Sequence, residues 1–391
     1  MAAADGGEGV TEIGLIGAGG IAGFHLDAYR DHPERAELAG VCDVDEQRAS
    51  EVAAEFGVDD WTDYEVFLDE APVEAVDLVL PHHLHAPVAR AALAADKHVL
   101  VEKPFAPSLA DCVELVETAR ERDRRLMVGQ MQRYHPPYRA LADRVADGEL
   151  GPVRHARCDV FATQRDLFGA DHWLFDGDRA GGGAVIGYLV HKVDLLRYFL
   201  GDVARAASWD RAVDEGFENA EDYATGLLEF ENGTVADFFA TASAAAAPYT
   251  EGFHLVGDRG VVHTLPEGEQ SEGYAGSPTP RINARDDPEA RKQFEPVTGD
   301  GAGLPTDDAF VNEILHFADC VETGREPLTS GRDNLGTMAA IAAIYRSADR
   351  DGERVSTAEV LEDAREDAGV DGPLRSGDGE RGNADEGGEG V

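Results

Sequence analysis

Glycines near the amino terminus have a spacing that indicates nucleotide chemistry. Gly17, Gly19 and Gly20 follow the apolar run EIGLI, and a helical pattern opens with Ile21 and Ala22. In this order Gly17 permits a tight turn, Gly19 lets the backbone approach a pyrophosphate, and Ala22 allows close packing of helix on strand. A phosphate would then lie on the N–H groups of the helix N-terminus. The pattern predicts a dinucleotide site.

A carboxylate after the next apolar run bears on which dinucleotide binds. Asp43 ends AELAGVCD, about two dozen residues after the glycines, where an acidic residue accepts hydrogen bonds from the adenosine ribose. A carboxylate there repels a 2′-phosphate. The sequence therefore predicts NAD as the cofactor and disfavours NADP, although Arg48 further along could soften this preference.

Lys103 ends the apolar run HVLVEK, and ligands of open α/β sheets bind at the carboxyl ends of strands. A lysine desolvated there can hydrogen-bond an alcohol and stabilise an alkoxide as hydride leaves. Lysine is scarce in this chain, so each one is a stronger candidate for a function than usual. The four lysines are Lys97, Lys103, Lys192 and Lys292.

Alternating patterns from residue 11 to residue 133 must position these groups. Short apolar runs alternate with helical patterns of about ten to fifteen residues, which predicts a parallel sheet with helices on both faces. We expect residues 1–10 to be a disordered leader and residues 11–133 to form a dinucleotide-binding domain.

Residues 134–372 show a different pattern, in which a long apolar helix follows the glycines at 181–183 and leads into strands with hairpin signals. One signal is Asn232-Gly233, typical of a type I′ turn. The pattern predicts a second α/β domain with a largely antiparallel sheet and a long loop at 266–305. The helix near 332–350 is expected to pack back on the first domain, and residues 373–391 to form a disordered acidic tail.

The charge balance excludes several partners. The chain has 77 acidic and 34 basic residues, a formal net charge of −43. Nucleic-acid binding needs basic surface, and so does docking on anionic lipid. No apolar stretch is long enough to span a membrane, and the first residues lack the features of a signal peptide. We expect a cytoplasmic protein with no nucleic-acid or membrane partner.

An acidic, lysine-poor composition is also typical of proteins adapted to molar salt. At 1 M salt the Debye length falls to about 3 Å, so self-repulsion is screened. The sequence favours a halophilic protein, and an acidic enzyme from an ordinary cytoplasm is the alternative.

The cysteines and histidines do not indicate a metal site. Cys42, Cys112, Cys158 and Cys320 are far apart in sequence, which predicts free thiols. His82, His83 and His85 resemble a metal cluster by count, but no fourth ligand is suggested. We therefore predict no metal.

Taken together, these residues resemble the Gfo/Idh/MocA family of nicotinamide-dependent oxidoreductases. The segment AALAADKHVLVEKPFAPS, at 91–108, is similar to the family's Glu-Lys-Pro signature. VGQMQRYHP, GELGPV, the triple glycine leading to His191, and GDRGVV follow at the family's spacing. The resemblance spans about Ile13 to Arg350. It implies an N-terminal Rossmann domain and a C-terminal α/β domain whose open sheet mediates oligomerisation, hence a homodimer or homotetramer.

The resemblance implies roles for particular residues. Lys103 would lie beside the nicotinamide and the substrate's reacting oxygen, and His191 would be the acid/base. Glu102 would orient Lys103 or contact the cofactor ribose. Further residues implied to line the cofactor cleft are Pro81, His82 and His85.

One departure from the family lies in the long helix. The usual aspartate four residues before the histidine is Gly187, and a usual glycine is Leu189. Glycine inside a helix costs about 1 kcal/mol relative to alanine, so Gly187 either opens space for a substrate group or marks a distorted turn. Tyr188 or Asp194 could partner the His191 imidazole, with a structural role favoured for Asp194.

Four other residues are candidates for the substrate site. Arg133 and Tyr134 lie at the junction between the predicted domains, and His172 and Trp173 come just before the triple glycine. Gly187, Tyr188 and His191 complete the predicted substrate residues.

The main hypothesis is therefore NAD-dependent oxidation of a sugar, polyol or inositol-like substrate, with Lys103 polarising the oxygen and His191 exchanging the proton. One alternative is a catalytically silent NAD-binding regulatory protein of the same fold, which the loss of the carboxylate at Gly187 would support. Another is an enzyme whose tightly bound NAD(H) cycles internally.

Overall fold

The computed structural model describes residues 10–163, 168–169, 171–244, 249–264, 278–284 and 294–370. The predicted leader, apart from Val10, and the predicted tail from residue 373 lie outside the described residues. The loop predicted at 266–305 is described only in part.

The first sheet has six strands among the described residues, in the order β3-β2-β1-β4-β5-β6. All neighbouring pairs are parallel, which confirms the predicted parallel sheet. The sequence does not predict β3, because two residues are too few to show an apolar pattern. The strands are β1 Thr11–Ile16, β2 Ala36–Cys42, β3 Asp60–Trp61, β4 Ala75–Leu78, β5 His98–Glu102 and β6 Leu126–Gly129.

Five helices connect these strands: α1 Ala22–Asp31, α2 Glu46–Phe56, α3 Tyr64–Glu70, α4 His82–Ala94 and α5 Leu109–Glu121. Side-chain caps fix where three of them begin: Asp45 accepts from the N–H of Arg48, Asp63 from that of Val66, and Ser108 from that of Asp111. The strand order reverses between β1 and β4, and this switch point opens a crevice at the carboxyl ends of the strands.

The described residues of the second sheet form nine strands in the order β14-β13-β12-β11-β7-β10-β9-β8-β15. The pair β7–β10 is parallel and the other pairs are antiparallel, so the predicted largely antiparallel sheet is confirmed. The strands are β7 Val153–Phe161, β8 Val203–Arg211, β9 Tyr223–Phe230, β10 Val235–Thr241, β11 Thr250–Gly257, β12 Val261–His263, β13 Arg281–Asn283, β14 Glu295–Pro296 and β15 Val355–Ser356.

Further helices join and cover the two sheets: α6 Pro136–Ala146, α7 Gly177–Ala180, α8 Val190–Leu200, α9 Ala309–Thr323, α10 Gly331–Asp349 and α11 Thr357–Asp367. Two 3₁₀ turns span Met131–Tyr134 and Trp173–Phe175, and a π-helix spans Val185–Leu189. Helix α10 packs against strand β8 of the second sheet and against helix α5, which connects β5 and β6 of the first sheet. In the described part of the chain, no helix is long and apolar enough to cross a membrane.

Three local predictions need correction. The stretch predicted as one loop contains β13 and β14, whose few residues give little periodic signal. The β9–β10 turn is not type I′, because Gly233 takes a positive φ of 85° while Asn232 does not. The predicted single long helix is divided, because a π-helical turn precedes α8.

Candidate functional site

A cavity of about 1240 Å³ opens at the carboxyl ends of β1, β2, β4 and β5 and reaches the π-helix and β11. It brings together most of the residues predicted from the sequence. Those that line it are Gly17, Gly19, Gly20, Ile21, Asp43, Pro81, His82, Glu102, Lys103, His172, Trp173, Gly187, Tyr188 and His191.

The glycine turn between β1 and α1 forms one wall of the cavity. Gly17 has a φ of 98°, and a Cβ there would collide with the carbonyl of Val79. A Cβ at Gly19 or Gly20 would meet nothing within 4 Å, so the backbone at these positions is open to the cavity. Ala22 is fully buried beneath the turn, where its small side chain permits close packing.

Asp43 shapes this turn and also faces the cavity. Its Oδ2 accepts from the N–H of Ala18 at 2.8 Å, and its Oδ1 accepts from the N–H of Asp45 at 2.8 Å. The Arg48 guanidinium lies 3.3 Å from Asp43 Oδ2 and lines the same cavity. The open glycine backbone, the carboxylate and the size of the cavity fit a dinucleotide.

Lys103 lies just beyond β5, where its ammonium meets the π-helix. Its Nζ donates to the carbonyl of Gly187 at 3.2 Å. Its backbone N–H donates to Glu102 Oε2 at 2.9 Å, so Glu102 holds the Lys103 main chain rather than its ammonium. The strand end thus presents the lysine to the cavity from a fixed backbone.

A buried chain of polar groups stands behind Glu102. Glu102 Oε1 lies 3.1 Å from His25 Nε2, and His25 Nδ1 lies 2.8 Å from Asp77 Oδ2, which also accepts from the Tyr29 hydroxyl at 2.8 Å. Burial alone would lower the pKa of His25, but the two carboxylates raise it well above its ordinary value. His25 is therefore a buried cation that orients Glu102.

Sequence reasoning missed this chain of contacts. The available signals were a histidine among the apolar residues of α1 and Asp77 inside the apolar run of β4. Glu313 of α9 adds a further carboxyl group, fully buried and without a hydrogen-bond partner among the described residues. Burial and the nearby charge of Glu102 raise the pKa of Glu313 well above its ordinary value, which favours the protonated form of this carboxyl group.

Gly187 and His191 line the cavity from the π-helix and from α8. A Cβ at Gly187 would meet nothing within 4 Å, so this position opens into the cavity. Gly187 also lies in the π-helix, so the helix is distorted at this position, as the second explanation from the sequence predicted. His191 is 7% exposed, and its Nδ1 has no hydrogen-bond partner within the part of the chain that the structure describes.

The triple glycine before the π-helix has a steric cause. A Cβ at Gly183 would collide with the carbonyl of Glu221. The Glu221 carboxylate accepts from the N–H groups of Gly183 and Val185 at 2.9 and 2.8 Å. Burial raises the pKa of Glu221 to about 7, and these contacts fix the start of the helix that carries His191.

Arg133 and Tyr134 require a correction, because the structure does not place them on the cavity wall. Arg133 is 3% exposed and makes a bidentate pair with Asp194, with both N–O distances 2.6 Å. The Tyr134 hydroxyl lies 3.1 Å from that of Thr329 in the core. Asp194 therefore serves Arg133 rather than His191.

The histidines of α4 differ in location, since His82 lines the cavity and His85 is buried inside the protein. His82 lines the cavity, its Nδ1 is 2.8 Å from the carbonyl of Ala180, and the Trp173 ring meets it edge-on at 4.7 Å. His85 does not line the cavity, which corrects its prediction as a cofactor contact, because it is buried between the carbonyls of Pro104 and Leu80. The described residues contain no group of metal-ligand side chains.

The parallel sheet, its glycine turn and Asp43 define a dinucleotide-binding protein of the Rossmann class. Residues 11–130 match the oxidoreductase family with an NAD-binding Rossmann fold, and residues 138–263 match the GFO/IDH/MocA C-terminal domain. The chain therefore belongs to the Gfo/Idh/MocA family, which confirms the resemblance.

Relatives cover nearly all of this chain. It is 30% identical over 348 residues to D-apiose dehydrogenase of Paraburkholderia graminis, covering 87% of this chain and 88% of that protein. It is 29% identical over 338 residues to D-xylose 1-dehydrogenase (NADP(+)) 2 of Haloferax volcanii, covering 86% and 97%. Levoglucosan dehydrogenase in complex with NADH and levoglucosan shares the fold, with a TM-score of 0.79 at 21% identity over 89% of this chain and 99% of that one.

Proposed function

We propose that the protein is an NAD-dependent dehydrogenase that oxidises a CH–OH group of a sugar, polyol or inositol-like substrate. The observation that carries this proposal is that Lys103 and His191 share one cavity with the glycine turn and Asp43. The relatives named as sugar dehydrogenases support the choice of substrate class.

The residues divide the work between binding and proton transfer. Gly17, Gly19 and Asp43 hold the dinucleotide, whose nicotinamide supplies hydride transfer when bound. Lys103 donates a hydrogen bond to the reacting oxygen and stabilises the negative charge that develops on it. His191 accepts the hydroxyl proton, which a neutral imidazole can do.

A catalytically silent NAD-binding protein remains the contrasting hypothesis, and the loss of a carboxylate at Gly187 favours it. The open space beside Gly187 instead suits a bound substrate, because no side chain fills it. Incubation with NAD and a panel of neutral sugars distinguishes the two, since a silent protein binds NAD without forming NADH. Cofactor released from denatured purified protein would identify an enzyme that cycles bound NAD(H) internally.

A pH profile tests the role of His191. Burial, and then the positive charges of Lys103 and Lys192, lower the pKa of His191 well below its ordinary value of 6.5. The neutral imidazole therefore persists below pH 6.5, and we expect kcat/KM for oxidation to stay level as the pH falls through that value. H191N should lower kcat by about 10²–10⁴-fold. An acidic limb centred at or above pH 6.5 that disappears in H191N would contradict this assignment.

We also propose that NAD is preferred over NADP. The Asp43 carboxylate accepts a ribose hydroxyl and repels a 2′-phosphate, while Arg48 beside it offers a phosphate some compensation. We expect NAD to bind about tenfold or more tightly, since a hydrogen bond to a charged group contributes about 1.5–3 kcal/mol. R48A should widen the gap. Titration of both cofactors that shows equal or tighter binding of NADP to the wild type would refute the preference.

Salt dependence tests the proposed adaptation to molar salt. A net charge of −43 gives strong self-repulsion at low ionic strength, and salt shortens its range. We expect thermal melting in molar potassium chloride to occur well above that in dilute buffer. A melting temperature that does not change with salt would remove the halophilic interpretation.

We further propose that the protein is a cytoplasmic homo-oligomer. The four cysteines are free and buried, as suits a reducing compartment. The outer face of the second sheet exposes large apolar side chains, including Trp209 and Leu227 at 49% and 48%. Light scattering in molar salt should give the mass of a dimer or tetramer.

A further inference from the structure

Four polar side chains from three parts of the fold form a cluster beside the cavity, and the sequence did not predict that they would meet. They are Gln132 in the 3₁₀ turn after β6, Lys192 on α8, and Tyr249 and Glu251 at the start of β11. Lys192 Nζ lies 2.9 Å from Glu251 Oε1 and donates to Gln132 Oε1 at 2.9 Å. Gln132 Nε2 donates to Glu251 Oε1 at 2.8 Å, and the Tyr249 hydroxyl donates to Glu251 Oε2 at 2.9 Å.

The ion pair at the centre of this cluster is buried. The Lys192 side chain is 0% exposed and that of Glu251 is 5% exposed. Buried ion pairs are weak evidence for stability, because apolar residues of similar volume often do as well or better. The position of the Lys192–Glu251 pair indicates a role in substrate binding. Gln132, Tyr249 and Glu251 line the same cavity as Lys103, Gly187 and His191.

Glu251 is the carboxylate that the second sheet supplies to the cavity, and it can still accept a hydrogen bond from a substrate. Among the described residues that line the cavity, the acidic ones are Asp43, Glu102 and Glu251. Asp43 holds the glycine turn, and Glu102 is bonded to His25 and to the Lys103 backbone. Three donors reach Glu251, whereas a carboxylate accepts at about four sites, so a hydroxyl in the cavity can still donate to it.

The charge of the cluster bears on which substrates it admits. Lys192 neutralises Glu251, so the pair neither attracts nor repels an ion strongly. A carboxylate alone on this wall would repel a sugar acid, and an ammonium alone would attract one. The neutral pair therefore suits a substrate that carries hydroxyl groups and no charge.

We propose, on the basis of the dehydrogenase function above, that Glu251 binds the substrate's hydroxyl groups from the second sheet. It thereby supplies a carboxylate to a cavity that has none at Gly187, and its pairing with Lys192 selects uncharged polyols over sugar acids. Gln132 and Tyr249 position the carboxylate.

The test compares wild type, E251Q, K192M and the double variant K192M/E251Q. D-xylose, levoglucosan and myo-inositol are the neutral probes, and D-glucuronate is the anionic one. Loss of a hydrogen bond to a charged group should raise KM for the neutral substrate about ten- to a hundredfold in E251Q, with a smaller effect on kcat. E251Q should also shift kcat/KM towards D-glucuronate by about tenfold or more, because Lys192 is then unpaired.

The other variants keep the inference falsifiable if E251Q does not fold. K192M/E251Q leaves no unpaired charge, and it should show the raised KM without the shift towards D-glucuronate. NAD affinity should be unchanged in every folded variant, since these residues do not form the glycine turn. Wild-type KM for neutral sugars in both E251Q and the double variant would overturn this inference alone. A wild type that binds NAD but oxidises none of the probes would overturn the proposed function as well.

Discussion

Replacing Lys103 with alanine is expected to lower turnover by about 10²–10³-fold, the range for loss of a donor that stabilises a developing oxyanion. NAD binding should change little, because the residues proposed to hold the dinucleotide, Gly17, Gly19 and Asp43, lie on other elements. Steady-state rates with the best substrate of the polyol panel, together with NAD titration by fluorescence, measure both effects.

Two lysine variants serve as controls. K103R should fail almost as badly, because the longer, planar guanidinium cannot reproduce the position of the Lys103 ammonium beside the Gly187 carbonyl. K97A should retain activity, since the Lys97 ammonium donates to the Val73 carbonyl at 2.7 Å and does not line the cavity. Retention of more than about a tenth of wild-type turnover in K103A, a smaller loss than removal of an oxyanion donor gives, would exclude the proposed role.

Replacing Arg133 with methionine is expected to destabilise the protein by about 3–5 kcal/mol, because it leaves Asp194 buried without its bidentate partner. Asp194 is 1% exposed and would keep the Thr337 hydroxyl at 2.8 Å, while Arg197 lies 4.0 Å away. Asp333, 2.8 Å from Arg133, loses the same cation. Urea unfolding in molar salt measures the loss.

The double variant R133M/D194L provides the control. It removes both charges and replaces them with apolar groups, so it should recover much of the stability lost in R133M. Unfolding of R133M at the wild-type urea midpoint, combined with a raised KM, would instead return Arg133 to the substrate site.

Local sequence signals predicted much of the fold and one side of the cavity. The glycine turn, Asp43 and Lys103 each follow a strand, so the carboxyl ends of one parallel sheet bring them to one cavity. The sequence also identified Gly187 as an unusual residue of the long helix. It could not decide whether this glycine opens space in the site or distorts the helix. Both prove true, since it lies in a π-helix and faces the cavity.

Contacts between distant segments could not be predicted. The sequence placed Arg133 in the substrate site because it follows the last strand of the first sheet. In the structure it is buried and paired with Asp194, which is 61 residues away in the sequence. His25 meets Glu102 across 77 residues, and Gln132 meets Glu251 across 119. Such pairs depend on the tertiary packing of elements that are far apart in the sequence. The scarcity of lysine that drew attention to Lys103 applied equally to Lys192. It was the sequence signal for the cluster that Lys192 forms with Gln132, Tyr249 and Glu251.

The most direct test of the central claim follows hydrogen from substrate carbon to cofactor. Wild-type protein in molar potassium chloride is incubated with NAD and perdeuterated neutral sugars, and the cofactor is then analysed by mass spectrometry. An oxidation assisted by Lys103 and His191 predicts NADH that carries one deuterium, formed about 10²-fold or more slowly by K103A than by the wild type. Bound NAD that gains no deuterium from any sugar, or equal labelling in K103A, would contradict the account.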